Sequence, residues 1–321
     1  MRKTSRIAGA ALAVAALTGS LAACGGGDTL EKSKGGGQGS GDKGSLVIGS
    51  ASFTESKVLA ELYARILADA GYSTSITSVK NRELYEPSLE KGEIDVVPEY
   101  AATIAEFLNA KVNGPKAPEE KPVASSDADK TVAALTALAE PRGLKVLPAG
   151  EAVDQNAFAV SEEFAEKNSL KTLSDLGKSK LKVKIAAGDE CEVRPFCAPG
   201  LKKTYGIDVT GIDPKGVGTP QSKQAVRDGD VQLVLTTTTD AVLDGLVFLE
   251  DDKKLQNADN VLPVVNAEDA GDAGIADALA KITKTLTTED LAELNRKVDA
   301  ERAKPGDVAK EYLQSKNLLK K

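Results

Sequence analysis

The spacing of hydrophobic and polar positions changes repeatedly between two periods along the chain. From residue 53 to 70, apolar residues recur every three or four positions, and Gly71 follows, which predicts an amphipathic helix that ends at the glycine. Short apolar or alternating runs at 46–49, 73–79 and 94–98 predict strands on either side of it. The order strand, helix, strand is typical of a parallel α/β sheet.

The same alternation continues through the rest of the chain. Further strands are predicted at 144–147, 157–160, 183–186, 231–235, 246–249 and 261–265, and further helices at 82–91, 131–140, 201–205, 222–228, 274–287, 288–303 and 308–319. Residues 110–129 are rich in Pro, Lys, Glu and Ser, which predicts a surface loop.

Two segments of the chain resemble each other. Residues 88–97 and 224–234 each contain a helix end, a Gly, an acidic residue and a buried strand, and polar residues follow both strands. Two α/β lobes whose equivalent strand ends face each other would give this pattern, and ligands of open α/β sheets bind at such ends. A helix–turn–strand connection is also common enough to recur by coincidence.

The N-terminus has the pattern of a secretory signal. Three basic residues lie within the first six, an apolar run spans 7–21, and Leu-Ala-Ala immediately precedes Cys24. This segment resembles a bacterial lipobox, which predicts removal of residues 1–23 and lipid attachment at Cys24; the alternative is an ordinary secreted protein with a chance Cys. The apolar run is too short to span a bilayer. Residues 24–44 are mostly Gly, Ser, Lys and Asp, which predicts a flexible tether with order beginning at Ser45.

Composition excludes several kinds of chemistry. The formal net charge is −7, and loss of the three signal cations takes −7 to −10, which disfavours nucleic acid as a partner. The chain has no His, which excludes Ser-His-Asp and Cys-His catalysis and His-based zinc sites. Cys191 and Cys197 predict a small disulfide loop that holds Arg194 in place, with free thiols or a partial metal site as alternatives.

Four separated motifs resemble one protein family. They are Gly-Ser-Ala-Ser-Phe-Thr-Glu at 49–55, Gly-Glu-Ile-Asp-Val-Val-Pro-Glu-Tyr-Ala-Ala-Thr at 92–103, the Arg-bearing segment 191–201, and Gly-Leu-Val-Phe-Leu-Glu-Asp-Asp-Lys at 245–253. In this order they resemble the glycine betaine/carnitine/choline-binding proteins of osmoprotectant ABC transporters. The resemblance implies a bilobal class II periplasmic-binding-protein fold, in which two α/β lobes hinge closed on a ligand. It implies a first lobe of 45–153 and 241–321 and a second lobe of 154–240.

The resemblance also implies roles for individual residues. Tyr100 matches a Tyr of the cage that holds a quaternary ammonium, Thr103 matches a Thr beside the ligand carboxylate, and Arg194 matches the Arg that binds this carboxylate. The alternatives are that Tyr100 only caps a strand and that Arg194 pairs with Glu190 or Glu192 on the surface.

At three positions this chain departs from the family. Ala51 replaces a frequent Lys, and Asn156 and Thr237 replace cage aromatics, which predicts a more polar site. Tyr85 is our candidate for an aromatic ring that replaces the missing cage aromatics.

Other polar residues near these motifs are further candidates. Ser52 and Thr238 are candidate ligand contacts, although the Thr run 236–239 would also suit an edge strand. Glu99 and Asp240 could balance a cation, or merely close loops.

These features predict a lipid-anchored substrate-binding protein without enzymatic activity, cofactor or metal. Its expected partners are a small zwitterionic or quaternary-amine solute, an ABC permease with its ATPase, and the membrane through the N-terminal lipid. The expected location is the outer face of the cytoplasmic membrane. Two alternatives stay open: an extracellular hydrolase that uses carboxylates, and a solute sensor that uses the same clamshell without transport.

Overall fold

The computed structural model describes residues 31–33, 43–240 and 242–319. The predicted signal segment and Cys24 lie outside these residues. Eleven strands in the described part form two separate sheets. In chain order they are β1 (Glu31–Ser33), β2 (Ser45–Ser50), β3 (Ser73–Ser78), β4 (Val96–Tyr100), β5 (Leu144–Val146), β6 (Asn156–Ser161), β7 (Lys182–Ala187), β8 (Asp208–Pro214), β9 (Leu233–Thr237), β10 (Leu246–Leu249) and β11 (Val261–Asn266).

Helices connect most of these strands. They are α1 (Thr54–Asp69), α2 (Arg82–Glu90), α3 (Ala101–Asn113), α4 (Ala117–Glu120), α5 (Ala128–Ala139), α6 (Glu162–Asn168), α7 (Leu173–Ser179), α8 (Ala198–Gly200), α9 (Pro220–Arg227), α10 (Ala273–Thr283), α11 (Thr288–Asp299) and α12 (Pro305–Ser315), with short 3₁₀ turns at Glu140–Arg142 and Asp189–Glu192 and a π-helical turn at Leu201–Tyr205. Among the described residues no helix has the length and apolar character needed to cross a membrane.

The first sheet has the strand order β1-β3-β2-β4-β11-β5. Strand β2 runs parallel to β3 and β4, as the alternation of strands and helices predicts, whereas β11 runs antiparallel to β4 and β5. The parallel strands β2 and β4 end at Ser50 and Tyr100, so the residues that follow them emerge at the same edge of the sheet.

The second sheet has the order β10-β6-β9-β7-β8. Its parallel strands β7 and β9 end at Ala187 and Thr237. Strand β10 pairs with β6 in this sheet, from Leu246 opposite Ser161 to Leu249 opposite Phe158. The sequence predicts that residues 241–321 belong to the first lobe, and this is wrong for β10. The apolar residues of β10 complete the second sheet, and the chain re-enters the first sheet only at β11.

Several local expectations also differ from the structure. Strand β1 lies within the predicted tether and pairs antiparallel with β3, so regular structure begins before Ser45. The predicted loop 110–129 contains the end of α3, the short helix α4 and the start of α5. Its many charged residues are compatible with helices that expose most of one face.

Each sheet has its own hydrophobic core. In the first lobe, one buried cluster packs α1 and α10–α12 on one face of the sheet, and another packs α2, α3 and α5 on the opposite face. Two further clusters flank the second sheet. Among the described residues, none of the four clusters joins side chains of both sheets, which is the arrangement expected of two lobes around a cleft.

Two chain segments cross between the lobes side by side. The N–H of Asp154 donates to the carbonyl of Asp259 (3.1 Å), and Val153 forms an antiparallel bridge with Asn260. The loop after β9 joins them, because Thr238 N–H donates to the Gln155 carbonyl (2.9 Å). This paired connection forms a hinge at the base of the cleft.

A buried ion pair fixes the end of β4 against α2. Glu99 is fully buried and accepts hydrogen bonds from Arg82 Nε (2.8 Å), Arg82 Nη2 (2.6 Å) and the Tyr85 hydroxyl (2.5 Å). The Arg82 guanidinium also lies 6.0 Å from the centre of the Phe107 ring. Since a buried carboxylate without a partner is strongly unfavourable, this pair makes the position of β4 depend on Arg82.

We predict that Arg82→Ala lowers the free energy of unfolding by about 3–5 kcal/mol, because it leaves Glu99 buried without its cation. The matched control is Arg296→Ala, which removes a partly exposed Arg paired with Glu293 and Glu301 and should cost much less, because exposed ion pairs contribute little to stability. Urea unfolding of both variants measures the difference. Equal losses for the two variants would contradict the importance given to the Arg82–Glu99 pair.

Candidate functional site

A cavity of about 740 Å³ lies between the two lobes, next to the hinge. The first lobe contributes the start of α1 and the end of α11, the hinge contributes Asp154, and the second lobe contributes the end of β9 and the start of α9. Its lining is Phe53, Thr54, Glu55, Asp154, Val217, Gly218, Pro220, Lys223, Arg227, Thr236, Thr237, Thr239, Asp240, Val242, Asp244, Asn295, Asp299 and Ala300.

The connection between β2 and α1 places two of these side chains. The Ala51 N–H donates to Ser56 Oγ (2.8 Å), which turns the chain sharply from the strand into the helix. Phe53 occupies the N-cap position without a side-chain hydrogen bond, so its ring is left at the mouth of the cavity, 48% exposed. Glu55, in the first turn of α1, points inward and is buried.

The Glu55 carboxyl group is the centre of a buried hydrogen-bond network. It accepts from the Tyr100 hydroxyl (2.7 Å) at the end of β4 and from Asn295 Nδ2 (2.6 Å) on α11. On its hinge side it lies within hydrogen-bond range of Asp154, which also accepts from the Thr239 hydroxyl (2.9 Å). One carboxyl group thus connects α1, β4, α11 and the hinge.

This environment disfavours ionisation of the carboxyl groups. Burial, together with the charge of Asp154, raises the pKa of Glu55 to about 7. Burial likewise raises the pKa of Asp154. Burial, with a further contribution from Asp154, raises the pKa of the nearby Asp259 to about 6. Glu55, whose pKa lies near neutral pH, therefore gains or loses its proton in this pH range.

The ring of Phe53 lines the first-lobe side of the cavity, and the ring of Tyr100 lies next to Phe53 but outside the lining. Phe53 and Tyr100 are stacked, with ring centres 6.4 Å apart and planes at 30°. Tyr100 is 8% exposed, so Phe53 covers it and presents the accessible ring surface. Ring faces attract cations that have no hydrogen to donate, which makes this pair a suitable contact for a quaternary ammonium.

The second-lobe side of the cavity is held by its own polar contacts. Lys223 Nζ donates to both oxygens of Asp240 (2.8 and 3.0 Å), and Thr236 Oγ1 donates to the same carboxylate. Arg227 donates to the Asp244 carbonyl (3.3 Å) and to a side-chain oxygen of Gln224 (3.1 Å). Asp240 therefore neutralises Lys223 rather than facing the cavity as an unpaired charge.

The Thr run divides between the cavity and the hinge. Thr237 lines the cavity, and its backbone is paired with Asn156, so the two positions that lack the family aromatics are neighbours across β9 and β6. Asn156 itself is exposed and lies outside the cavity lining. Thr238 turns toward the hinge, where its hydroxyl donates to the Val153 carbonyl (2.8 Å) and accepts from the Gln155 N–H (3.1 Å).

Three other candidates from the sequence lie around the cavity rather than in its lining. Ser52 is exposed, and its hydroxyl donates to the Lys80 carbonyl (3.0 Å). Tyr85 is buried against Glu99. Thr103 is exposed at the start of α3, where its N–H (3.0 Å) and hydroxyl both donate to the Asp259 carboxylate.

Arg194 lies on a loop at the end of β7. A disulfide joins Cys191 to Cys197, and the N–H of Arg194 donates to the Glu190 carbonyl (2.9 Å) while its carbonyl accepts from the Cys197 N–H (3.0 Å). The Arg194 side chain is exposed and is not part of the cavity lining. The loop therefore fixes the backbone of Arg194 and leaves the guanidinium exposed at the same sheet edge as Thr237.

The structure adds four residues that the sequence analysis did not single out: Phe53, Glu55, Asp154 and Asn295. Phe53 and Glu55 are part of the first motif, which could have identified them, although Glu55 has the position of an ordinary helix-start acid. Asp154 lies three residues before the predicted strand 157–160, at a lobe boundary. Asn295 has no local signal, because a polar residue on an amphipathic helix is usually exposed.

We predict that Glu55→Gln changes the pH dependence of stability. A carboxyl group whose pKa is raised by folding stabilises the fold while protonated, and this contribution is lost as pH rises through its folded pKa of about 7. Between about pH 5 and about pH 8, the variant should gain about 2–3 kcal/mol of unfolding free energy relative to the original chain.

Urea unfolding at several pH values measures this difference. Glu293→Gln is the matched control, since Glu293 is exposed and its pKa is lowered mainly by Arg296. If the free energy of unfolding changes with pH in the same way for the original chain and Glu55→Gln, Glu55 does not have the raised pKa on which the prediction depends.

Comparison with known proteins agrees with this arrangement. Residues 44–315 match the family described as the substrate binding domain of ABC-type glycine betaine transport systems. The chain is 27% identical to a glycine-betaine-binding protein of Pseudomonas aeruginosa over 286 residues, which cover 85% of this chain and 88% of that protein. It is 23% identical to the carnitine transport binding protein OpuCC of Listeria monocytogenes over 292 residues, covering 88% and 90%.

Solved structures share the fold. Apo YehZ from Escherichia coli superimposes with a TM-score of 0.72 at 25% identity, over 85% of this chain and 99% of that one. A glycine betaine/carnitine/choline ABC transporter structure gives a TM-score of 0.73 at 19% identity, over 85% and 98%. The predicted bilobal periplasmic-binding-protein fold is thereby confirmed. The chain belongs to the family of substrate-binding domains of ABC-type glycine betaine transport systems.

Proposed function

We propose that this protein captures a small quaternary-amine solute outside the cytoplasm and delivers it to an ABC permease with its ATPase. The solute is of the glycine betaine, carnitine or choline class named for its relatives. The observation that carries the proposal is the interlobe cavity with the Phe53–Tyr100 ring pair above the buried carboxyl groups of Glu55 and Asp154. In this proposal the protein binds and releases the solute without changing it chemically.

Closure of the hinge brings the two sides of the cavity onto the solute. The ammonium group contacts the exposed face of Phe53 and the carboxyl groups beneath it. Val217, which is partly exposed on the opposite lobe, packs against the methyl groups. Thr237 and Arg194, which follow neighbouring parallel strands of the second sheet, donate hydrogen bonds to the oxygen-bearing end of the solute.

The N-terminus attaches the protein to the membrane in this proposal. Cleavage before Cys24 and lipidation of its thiol would place the binding domain on the outer face of the cytoplasmic membrane. The Gly-rich residues that follow Cys24 would serve as the tether between the lipid anchor and the binding domain.

We predict that Phe53→Ala weakens binding of a quaternary amine by about 1 kcal/mol, because the accessible ring face is removed. Titration calorimetry with choline and glycine betaine measures the change. Leu84→Ala is the matched control, since Leu84 is also about half exposed but is absent from the cavity lining.

The two variants distinguish a specific from a general effect. Binding of neither amine to the original chain would refute the proposed function. Equal affinities for Phe53→Ala and Leu84→Ala would refute the role of the ring.

We predict that Cys24→Ser releases the protein from the membrane fraction of a bacterial host that processes lipoproteins. The original chain should stay in that fraction after washing with high salt, because a lipid anchor is insensitive to ionic strength. Immunoblotting of membrane and soluble fractions measures the distribution. Membrane retention of Cys24→Ser would contradict the anchor.

A further inference from the structure

The charged groups that line the cavity are unevenly balanced. Five acidic residues line it, and only two basic ones: Glu55, Asp154, Asp240, Asp244 and Asp299 against Lys223 and Arg227. Asp240 holds Lys223, and Arg227 donates to neighbouring oxygens of its own lobe. Within the described lining, a ligand carboxylate would therefore meet more negative than positive charge.

The deepest part of this surface contains the Glu55–Asp154 pair. Glu55 faces Tyr100 from β4, Asp154 from the hinge and Asn295 from α11, and Asp154 faces the hydroxyl of Thr239. None of these groups is a cation. Two adjacent carboxyl groups with no positive partner repel each other when both are ionised, so an incoming cation supplies the missing charge.

An unpaired acceptor lies beside this pair. Asn295 is 6% exposed and lines the cavity, and its Nδ2 is used by Glu55, whereas its Oδ1 is buried without a hydrogen-bond partner among the described residues. Buried acceptors are normally satisfied, so this oxygen indicates a donor that arrives with the ligand.

We propose that Glu55 and Asp154 determine charge selectivity, so that this cleft prefers a solute with a net positive charge and a hydroxyl donor over a zwitterion of the same size. This inference rests on the proposed function and narrows its substrate class. Choline and glycine betaine are suitable probes, because both carry a trimethylammonium group. Choline has a hydroxyl group where glycine betaine has a carboxylate.

The test is calorimetric titration of choline and glycine betaine into the original chain, Glu55→Gln and Asp154→Asn at about pH 8, where cation-free Glu55 is mostly ionised. We expect the original chain to bind choline at least about tenfold more tightly. Each variant should lose about tenfold or more in choline affinity and much less for glycine betaine, because the ligand carboxylate offsets the charge. Glu293→Gln changes an exposed residue that is not part of the cavity lining, so this variant should keep the original preference.

The outcomes separate the two proposals. Failure of both amines to bind refutes the proposed function itself. Tighter binding of glycine betaine than choline, or a choline preference retained in both variants, overturns the charge selectivity while leaving the function intact.

A second measurement, on the original chain alone, tests the inference even if the two variants do not fold. Choline affinity of the original chain should fall about tenfold or more from about pH 8 to about pH 5.5, because the ligand must displace a proton from Glu55. A pH-independent choline affinity would count against the inference.

Discussion

Burial of the Glu55 carboxyl group beside the hinge determines how the rest of the site is arranged. Its two oxygens accept from Tyr100 on β4 and Asn295 on α11, and its hinge side meets Asp154. A buried carboxyl group must keep its hydrogen-bond partners, so these elements cannot move independently of one another. The base of the cleft is therefore a rigid, acidic surface, while the second lobe is connected to it mainly through the paired hinge segments.

The fold was largely predictable from the sequence because it follows from local patterns. Apolar periodicity identified α1 and the strands on either side of it, and the four ordered motifs indicated two lobes. The location of β10 was not predictable in this way, since a four-residue apolar strand fits either sheet and only its pairing with β6 decides. Strand β1 was missed because a Gly- and Lys-rich segment has no hydrophobic period, and its pairing uses the open edge of β3.

The site was less predictable than the fold. Motif comparison gives Tyr100, Arg194 and Thr237 as candidate site residues, but it does not give their environments, which depend on residues that are distant in the sequence. Tyr100 is covered by Phe53 and bound to Glu55, and the partner that completes this network, Asn295, lies on a helix near the end of the chain. Tyr85, considered as a substitute ring, is instead committed to the buried Arg82–Glu99 pair. Long-range pairings of this kind leave no signature in local spacing.

In the mode of binding that we propose, this family member recognises a cation with few aromatic rings. Where the family would have aromatics at Asn156 and Thr237, this chain has polar side chains next to each other on paired strands. Phe53, Glu55 and Asp154 all line the cavity, and we propose that the ring of Phe53 and the negative charge of the two carboxyl groups share the attraction for the cation. Carboxyl groups and ring faces both attract cations, but only carboxyl groups respond to the net charge of the ligand and to pH.

A crystal structure of the protein bound to choline would test the central claim most directly. The account predicts closed lobes, with the trimethylammonium group against Phe53 and within about 4–6 Å of the Glu55 and Asp154 carboxyl groups. It also predicts that the hydroxyl donates to the now satisfied Asn295 oxygen. Choline bound away from Glu55, or an Asn295 oxygen that receives no hydrogen bond from the choline hydroxyl, would contradict it.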